Sequence, residues 1–208
     1  MMTCDQLFKI LMQVECRPGD TATVGRGFVD DPVDAGGPTV WGISTHSMRY
    51  QGRPSGLECY QVDEVMGMSR KPIETRTPEE VRWYDHQMSL LKGVTCAAAR
   101  EWFCRHYHLD IYRELPDDLQ TTVFLFAVHA GHGMAARYVQ LALVRRGVAV
   151  TIDGVWGEQT KRAVASADPA LLATTLRDCI AGYYLALTIM RPPQRRFLSG
   201  WLRRLEVR

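Results

Sequence analysis

Apolar residues recur at helical spacing over most of the chain, with breakers between the runs. Leu7, Phe8, Leu11 and Val14 share one face of a first helix. Thr3 and Gln6 open it as a capping-box pair, and Pro18-Gly19 stops it. Residues 17–42 are dominated by glycine, proline and aspartate and read as loop with room for a short hairpin. Residues 50–93 show weak periodicity, interrupted by Gly52, Pro54, Gly56, Pro72 and Pro78. One helix stands out there, Pro78 to Leu91, with Thr77 as its cap and Glu79 and Glu80 in its first turn.

After Gly93 the pattern is helical throughout. Thr95 caps a helix through Tyr107 that buries Ala98, Trp102 and Phe103. Leu119–Ala130 is apolar on nearly every side, as the central helix of a bundle is. Met134–Arg146 follows and ends at Gly147. A turn at Ile152–Gly157 leads to a short helix ending at Ala165, and Asp168-Pro169 starts a long one reaching about Met190. Arg195–Val207 reads as a last amphipathic helix. The pattern predicts a mainly α fold with a short β-hairpin or loop region near residues 26–45.

Composition narrows the function classes. With 208 residues, 46% of them hydrophobic, the chain can bury one large core or two small ones. A net charge of +2 argues against a dedicated nucleic-acid binder. That total hides a split: Arg191, Arg195, Arg196, Arg203, Arg204 and Arg208 against Glu206 give the tail +5, leaving −3 for the rest. The apolar runs Thr121–Ala130 and Ile180–Met190 fall short of the roughly 18–20 residues of a membrane span, so no stable membrane insertion is expected. Leu7–Val14 does not read as a signal peptide. Six scattered cysteines without a CxxC pair make free cytosolic thiols the default, with a disulfide the alternative for a protein that ends up outside the cytosol.

Glu15 is the first residue with chemistry to offer. It follows Leu7 and Leu11 along the apolar face and sits in the last turn of its helix. Partial desolvation and the negative helix end both disfavour its charge, as a general acid near neutral pH requires. An ion pair with an arginine such as Arg26 is the competing use of this carboxylate.

The run Asp31-Pro32-Val33-Asp34-Ala35-Gly36-Gly37-Pro38-Thr39, with Gly42-Ile43 behind it, resembles the signature of the glycoside hydrolase family 108 muramidases. That signature follows a helix ending in Glu-Gly-Gly-Tyr. Cys96–Tyr107 and Phe126–Leu143 resemble the family's next helices. Asp153-Gly154-Val155-Trp156-Gly157-Glu158-Gln159-Thr160 looks like the turn of its peptidoglycan-binding region. Tyr183-Tyr184 and Phe197–Arg204 resemble its closing helices. The likeness covers about residues 3–50 and 94–205, so residues 51–93 read as an insertion. The resemblance implies a lysozyme-like helical fold, with a catalytic part over 1–116 and a helical peptidoglycan-binding part over 117–208 packed as one body. Two departures stand out. Residues Cys16–Gly25 separate Glu15 from Arg26-Gly27-Phe28, either because a loop was inserted after the acid or because Gly25 has taken its place. The helix before Glu15 has the expected length and face, which favours the insertion. His129 stands where the family tends to carry asparagine.

The resemblance further implies an N-acetylmuramidase that hydrolyses the β-1,4 bond between N-acetylmuramic acid and N-acetylglucosamine. Such chemistry needs an acid for the leaving oxygen and a second group for water or the oxocarbenium charge. Glu15 is assigned as the acid, Asp34 as base or electrostatic stabiliser, and Thr39 as the residue that positions water. Gly36, Gly37, Trp41, Asp31 and His129 are assigned to substrate. For Asp31, and for Asp30 beside it, loop capping is an equal alternative; for Trp41, Tyr50 and Trp156, core packing is the more frequent use. Cys104-Arg105-His106-Tyr107-His108 and His129-x-x-His132 lack a partner pair at zinc spacing, so neither metal nor cofactor is expected. The expected setting is a phage endolysin, made in the host cytoplasm, released through a holin-type pore and acting as a monomer on periplasmic peptidoglycan. A wall-binding or virion structural protein that kept the fold without its acid is the alternative.

Overall fold

A computed structural model describes residues 2–15, 26–107, 112 and 114–207. The Pro18-Gly19 stop and the stretch between Glu15 and Arg26 lie outside the described residues. The fold is mainly helical and lysozyme-like, with one small antiparallel hairpin. The chain divides into two compact units, one of residues 8–106 and the other of 107–208 together with 1–7.

The first unit begins on α1 (Cys4–Glu15). Its expected capping box is present: the Thr3 N–H donates to Gln6 Oε1 at 2.7 Å and the Gln6 N–H to Thr3 Oγ1 at 3.2 Å. The hairpin pairs β1 (Thr39–Val40) with β2 (Ile43–Ser44), in the register Thr39 opposite Ser44 and Val40 opposite Ile43. Val40 and Ile43 face the core, which leaves Thr39 and Ser44 together on the outer face. The connecting residues Trp41 (φ 54°) and Gly42 (φ 78°) are both left-handed, as a tight type I′ hairpin requires.

Behind the hairpin come α2 (Thr45–Gln51), α3 (Val62–Ser69), a 3-10 turn (Ile73–Thr75), α4 (Pro78–Lys92) and α5 (Cys96–His106). The capping box expected at Thr77 and Glu80 is formed in full. Helices α2 and α3 are additions to the sequence reading. Each is two turns long or barely more, too short for the apolar spacing to repeat, and α2 starts on Ser44, whose Oγ accepts the Ser47 N–H. Leu11, Leu57, Tyr60, Val65 and Leu91 are among the side chains sealed from solvent.

The second unit contains α6 (Asp117–Ala130), α7 (His132–Arg145), α8 (Glu158–Ser166), α9 (Pro169–Met190), a 3-10 stretch (Pro192–Phe197) and α10 (Leu198–Arg203). Every residue of α6 from Leu119 to Ala127 is buried, so the all-round apolar helix is the central one. The amphipathic helix expected over Arg195–Val207 is shorter and split. The chain runs in 3-10 geometry over Pro192–Phe197, and α-helical geometry begins only at Leu198.

Gln140 ties the Asp153–Thr160 turn to α7. Its Nε2 donates toward Asp153 Oδ1 (2.8 Å), Val155 O (3.0 Å) and Thr160 Oγ1 (3.0 Å), and its Oε1 accepts the Gly154 N–H (2.9 Å). Gly154 is irreplaceable there: a Cβ would stand 2.9 Å from Gly133 O at a φ of +79°.

The described cysteines divide between the two states the sequence left open. Cys59, Cys96 and Cys179 are free, whereas Cys4 and Cys104 are disulfide-bonded, a state that belongs to oxidising surroundings. Among the described residues no helix is long and apolar enough to cross a membrane.

Candidate active site

The expected catalytic residues are distributed along the hairpin, Glu15 at its tip and Asp34 and Thr39 at its base. Glu15, half-buried at the end of α1, lies against Gly42: a Cβ built there would stand 3.0 Å from Glu15 Cγ and 3.5 Å from its carboxyl carbon. Only a glycine leaves the acid this seat. Asp34 reaches the same hairpin two residues further on. Its Oδ1 accepts the Gly36 N–H at 2.8 Å, and over Gly36 it converges with the Ser44 side chain, each about 3 Å from where a Cβ would be. Thr39, opposite Ser44, completes the group. Its Oγ1 donates to Gly37 O at 3.0 Å, so lone pairs are what it can offer a water molecule.

The loop that carries these groups is closed by backbone. Val29 and Thr39 exchange two hydrogen bonds of 2.9 and 2.8 Å, the Trp41 N–H donates to Arg26 O at 2.7 Å, and the Asp34 N–H donates to Asp31 O at 2.9 Å. Asp31 caps its own turn, since its Oδ1 accepts the Val33 N–H at 3.0 Å. Gly37 is buried at a φ of +69°, and a Cβ there would meet Met66 Sδ at 2.7 Å. It serves close packing and a left-handed turn; the face a side chain would use is closed to sugar.

Trp41 is corrected from sugar platform to core residue. It is 1% exposed, and its indole N–H donates to Val94 O at 2.8 Å. A left-handed tryptophan costs about 1–2 kcal/mol, which burial of the ring and this hydrogen bond offset. Tyr50 is the open aromatic beside the loop, 72% exposed and edge-on to His46 at 5.0 Å.

His129 sits in the second unit, against Tyr184 at 5.1 Å and Trp201 at 5.2 Å between ring centroids. Its buried Nδ1 meets no hydrogen-bond partner. Desolvation, then Arg204, lowers its pKa from 6.5 to about 3. It is therefore a neutral core imidazole in the folded protein. The unfolded chain takes up this proton near pH 6.5 while the folded one refuses it until about pH 3, so this contribution to stability is full above 6.5 and is lost as pH falls toward 3. Thermal unfolding from pH 7.5 to 4 should show His129→Asn losing less stability on acidification than wild type. Parallel curves would remove His129 from that account.

Two groups escaped the sequence reading. The first is Tyr84, whose hydroxyl donates to Oδ1 of Asp30 at 3.0 Å. Ser44, which stands just behind Gly42-Ile43, is both the cap of α2 and the neighbour of Asp34. A serine directly before a helix was the available signal for the second; no local pattern links residues 30 and 84. Among the described residues no group of three or more His, Cys, Asp or Glu could hold a metal ion.

The chain has relatives among known proteins. Residues 21–131 match the family described as Glycosyl hydrolase 108, over more than half of the chain. Residues 134–206 match a predicted peptidoglycan domain. The first match begins beyond Glu15 and spans residues 51–93. Among solved structures, SagA of Brucella abortus is 19% identical with a TM-score of 0.59, the alignment covering 99% of this chain and 97% of that one. At that identity the likeness is one of fold. No curated protein sequence matches the chain.

Proposed function

As a member of the glycosyl hydrolase 108 family, the chain is a glycoside hydrolase acting on peptidoglycan, and we propose that it is an N-acetylmuramidase with Glu15 as its general acid. The seat of Glu15 on Gly42 carries this reading, because the family match starts past residue 15 and leaves the identity of the acid to geometry. Glu15 protonates the oxygen leaving at the β-1,4 bond between N-acetylmuramic acid and N-acetylglucosamine. Asp34 opposes the positive charge that develops on the sugar ring, or takes the proton of the attacking water, and Thr39 accepts a hydrogen bond from that water. The Gly36 N–H on Asp34 Oδ1 fixes the carboxylate's direction.

The bond is identified by its products. Purified peptidoglycan treated with the enzyme and then reduced with borohydride should yield muramitol ends. Glucosaminitol ends would replace the muramidase reading with a glucosaminidase, and anhydromuramic ends would replace hydrolysis with transglycosylation. In the same assay Asp34→Asn should lower kcat by about a hundredfold, within the range that proton-transfer groups contribute, and Thr39→Ala by about tenfold, the loss of roughly one hydrogen bond to the water. Wild-type rates in both would remove Asp34 and Thr39 from the chemistry.

A further inference from the structure

The loop bearing Asp34 and Thr39 is held from beneath by residues of the 51–93 segment. Three supports converge on it. At its start, the Tyr84 hydroxyl from α4 donates to Asp30 Oδ1 at 3.0 Å. At its middle, Met66 Sδ fills the space beside Gly37. Behind Thr39, Pro38 O accepts both the Thr45 N–H (2.9 Å) and Thr45 Oγ1 (2.7 Å). Thr45 has one hydroxyl proton and gives it to Pro38, so the Tyr60 hydroxyl, 2.8 Å away, is the donor in the next bond. The chain Tyr60–Thr45–Pro38 is thus fully directional. Tyr60 is sealed from solvent and Tyr84 is 5% exposed.

The tyrosines are themselves anchored. Arg76 lies over the Tyr84 ring at 4.6 Å and is fixed by Met68 O (2.8 Å) and by Lys71 O (3.1 and 2.8 Å). Burial raises the phenol pKa of Tyr60 to about 12 and pushes that of Tyr84 up as well, so both remain donors across the working range.

We propose that Tyr84 and Tyr60 are positioning residues, which hold the Asp30–Thr45 loop from both ends and thereby set where Asp34 and Thr39 stand. This rests on the muramidase reading above. Residues 51–93 gain a purpose from it, since α3 and α4 form the bed on which the acidic loop lies. Asp30 acts through this loop, with its carboxylate engaged by Tyr84.

The test uses the full-length enzyme on purified peptidoglycan, with reducing ends for kcat and KM and thermal unfolding for stability. Tyr84→Phe keeps the ring, its burial and the Arg76 contact while removing one hydrogen bond. Its kcat should fall by about tenfold or more, as loss of catalytic alignment does, with KM and the unfolding temperature close to wild type. Asp30→Ala should match it, and the double variant should be no worse than either single one. Asp30→Asn, which still offers Tyr84 an oxygen, should recover most of the loss. Tyr60→Phe removes the second support independently and should lower kcat in the same way, about tenfold. If Glu15→Gln and Asp34→Asn lose about a thousandfold and a hundredfold in kcat while Tyr84→Phe and Tyr60→Phe keep wild-type kcat, the positioning role is wrong and the site reading stands. If Glu15→Gln and Asp34→Asn keep wild-type kcat, the site reading itself falls.

Discussion

Glu15→Gln should retain the fold and lose nearly all sugar cleavage, about a thousandfold in kcat, as removal of a general acid does. The glutamine matches glutamate in shape, so it still rests on Gly42 but has no proton to give to the leaving oxygen. KM and unfolding temperature should stay within error of wild type, because the half-buried side chain gains no bulk. Reducing ends released from purified peptidoglycan measure the loss. A variant that cuts at the wild-type rate would show that another group serves as the acid.

The second large effect concerns the residue beneath the acid. Gly42→Ala places a methyl group 3.0 Å from Glu15 Cγ, closer than such contacts normally come, on a backbone at φ +78°. The backbone alone should cost about 1–2 kcal/mol. The displaced carboxyl should cost about a hundredfold in kcat, as a misplacement of roughly 1 Å does. Gly147→Ala separates the two effects. It has the same left-handed requirement, φ +80° at a Schellman helix end closed by Gly147 N–H to Val144 O and Val148 N–H to Leu143 O, with nothing within 4 Å of a new Cβ. Gly147→Ala should therefore lose comparable stability and keep its rate. Equal losses of rate in the two variants would mean that Gly42 matters as a turn residue and not as the seat of the acid.

What the sequence made legible is what repeats or caps locally. Helices α1, α4, α6 and α9 announce themselves through apolar spacing and through Thr3, Thr77 and Asp168, each of which bonds its own first turn. The Asp34–Thr39 loop was readable from its glycine pattern. Two kinds of feature were not. Trp41 offered an aromatic ring beside a loop motif, and only the fold shows that ring turned inward onto Val94 O. The bond from Tyr84 to Asp30 joins positions 54 residues apart, and neither residue carries a local sign of the other. Short elements such as α2 and α3 were hidden because seven or eight residues hold too few turns to show a period.

The Gln140 clamp has a consequence for redesigning the enzyme. Asp153, Gly154 and Thr160 of the motif are occupied by Gln140 and by the turn's own backbone, so the motif describes a mechanical knot. Val155, at the crest of that knot, is 61% exposed and bonds inward only through its backbone N–H and C=O. Its side chain can be exchanged without untying anything. Variants at this one position therefore alter the exposed surface of the domain while the scaffold beneath stays constant.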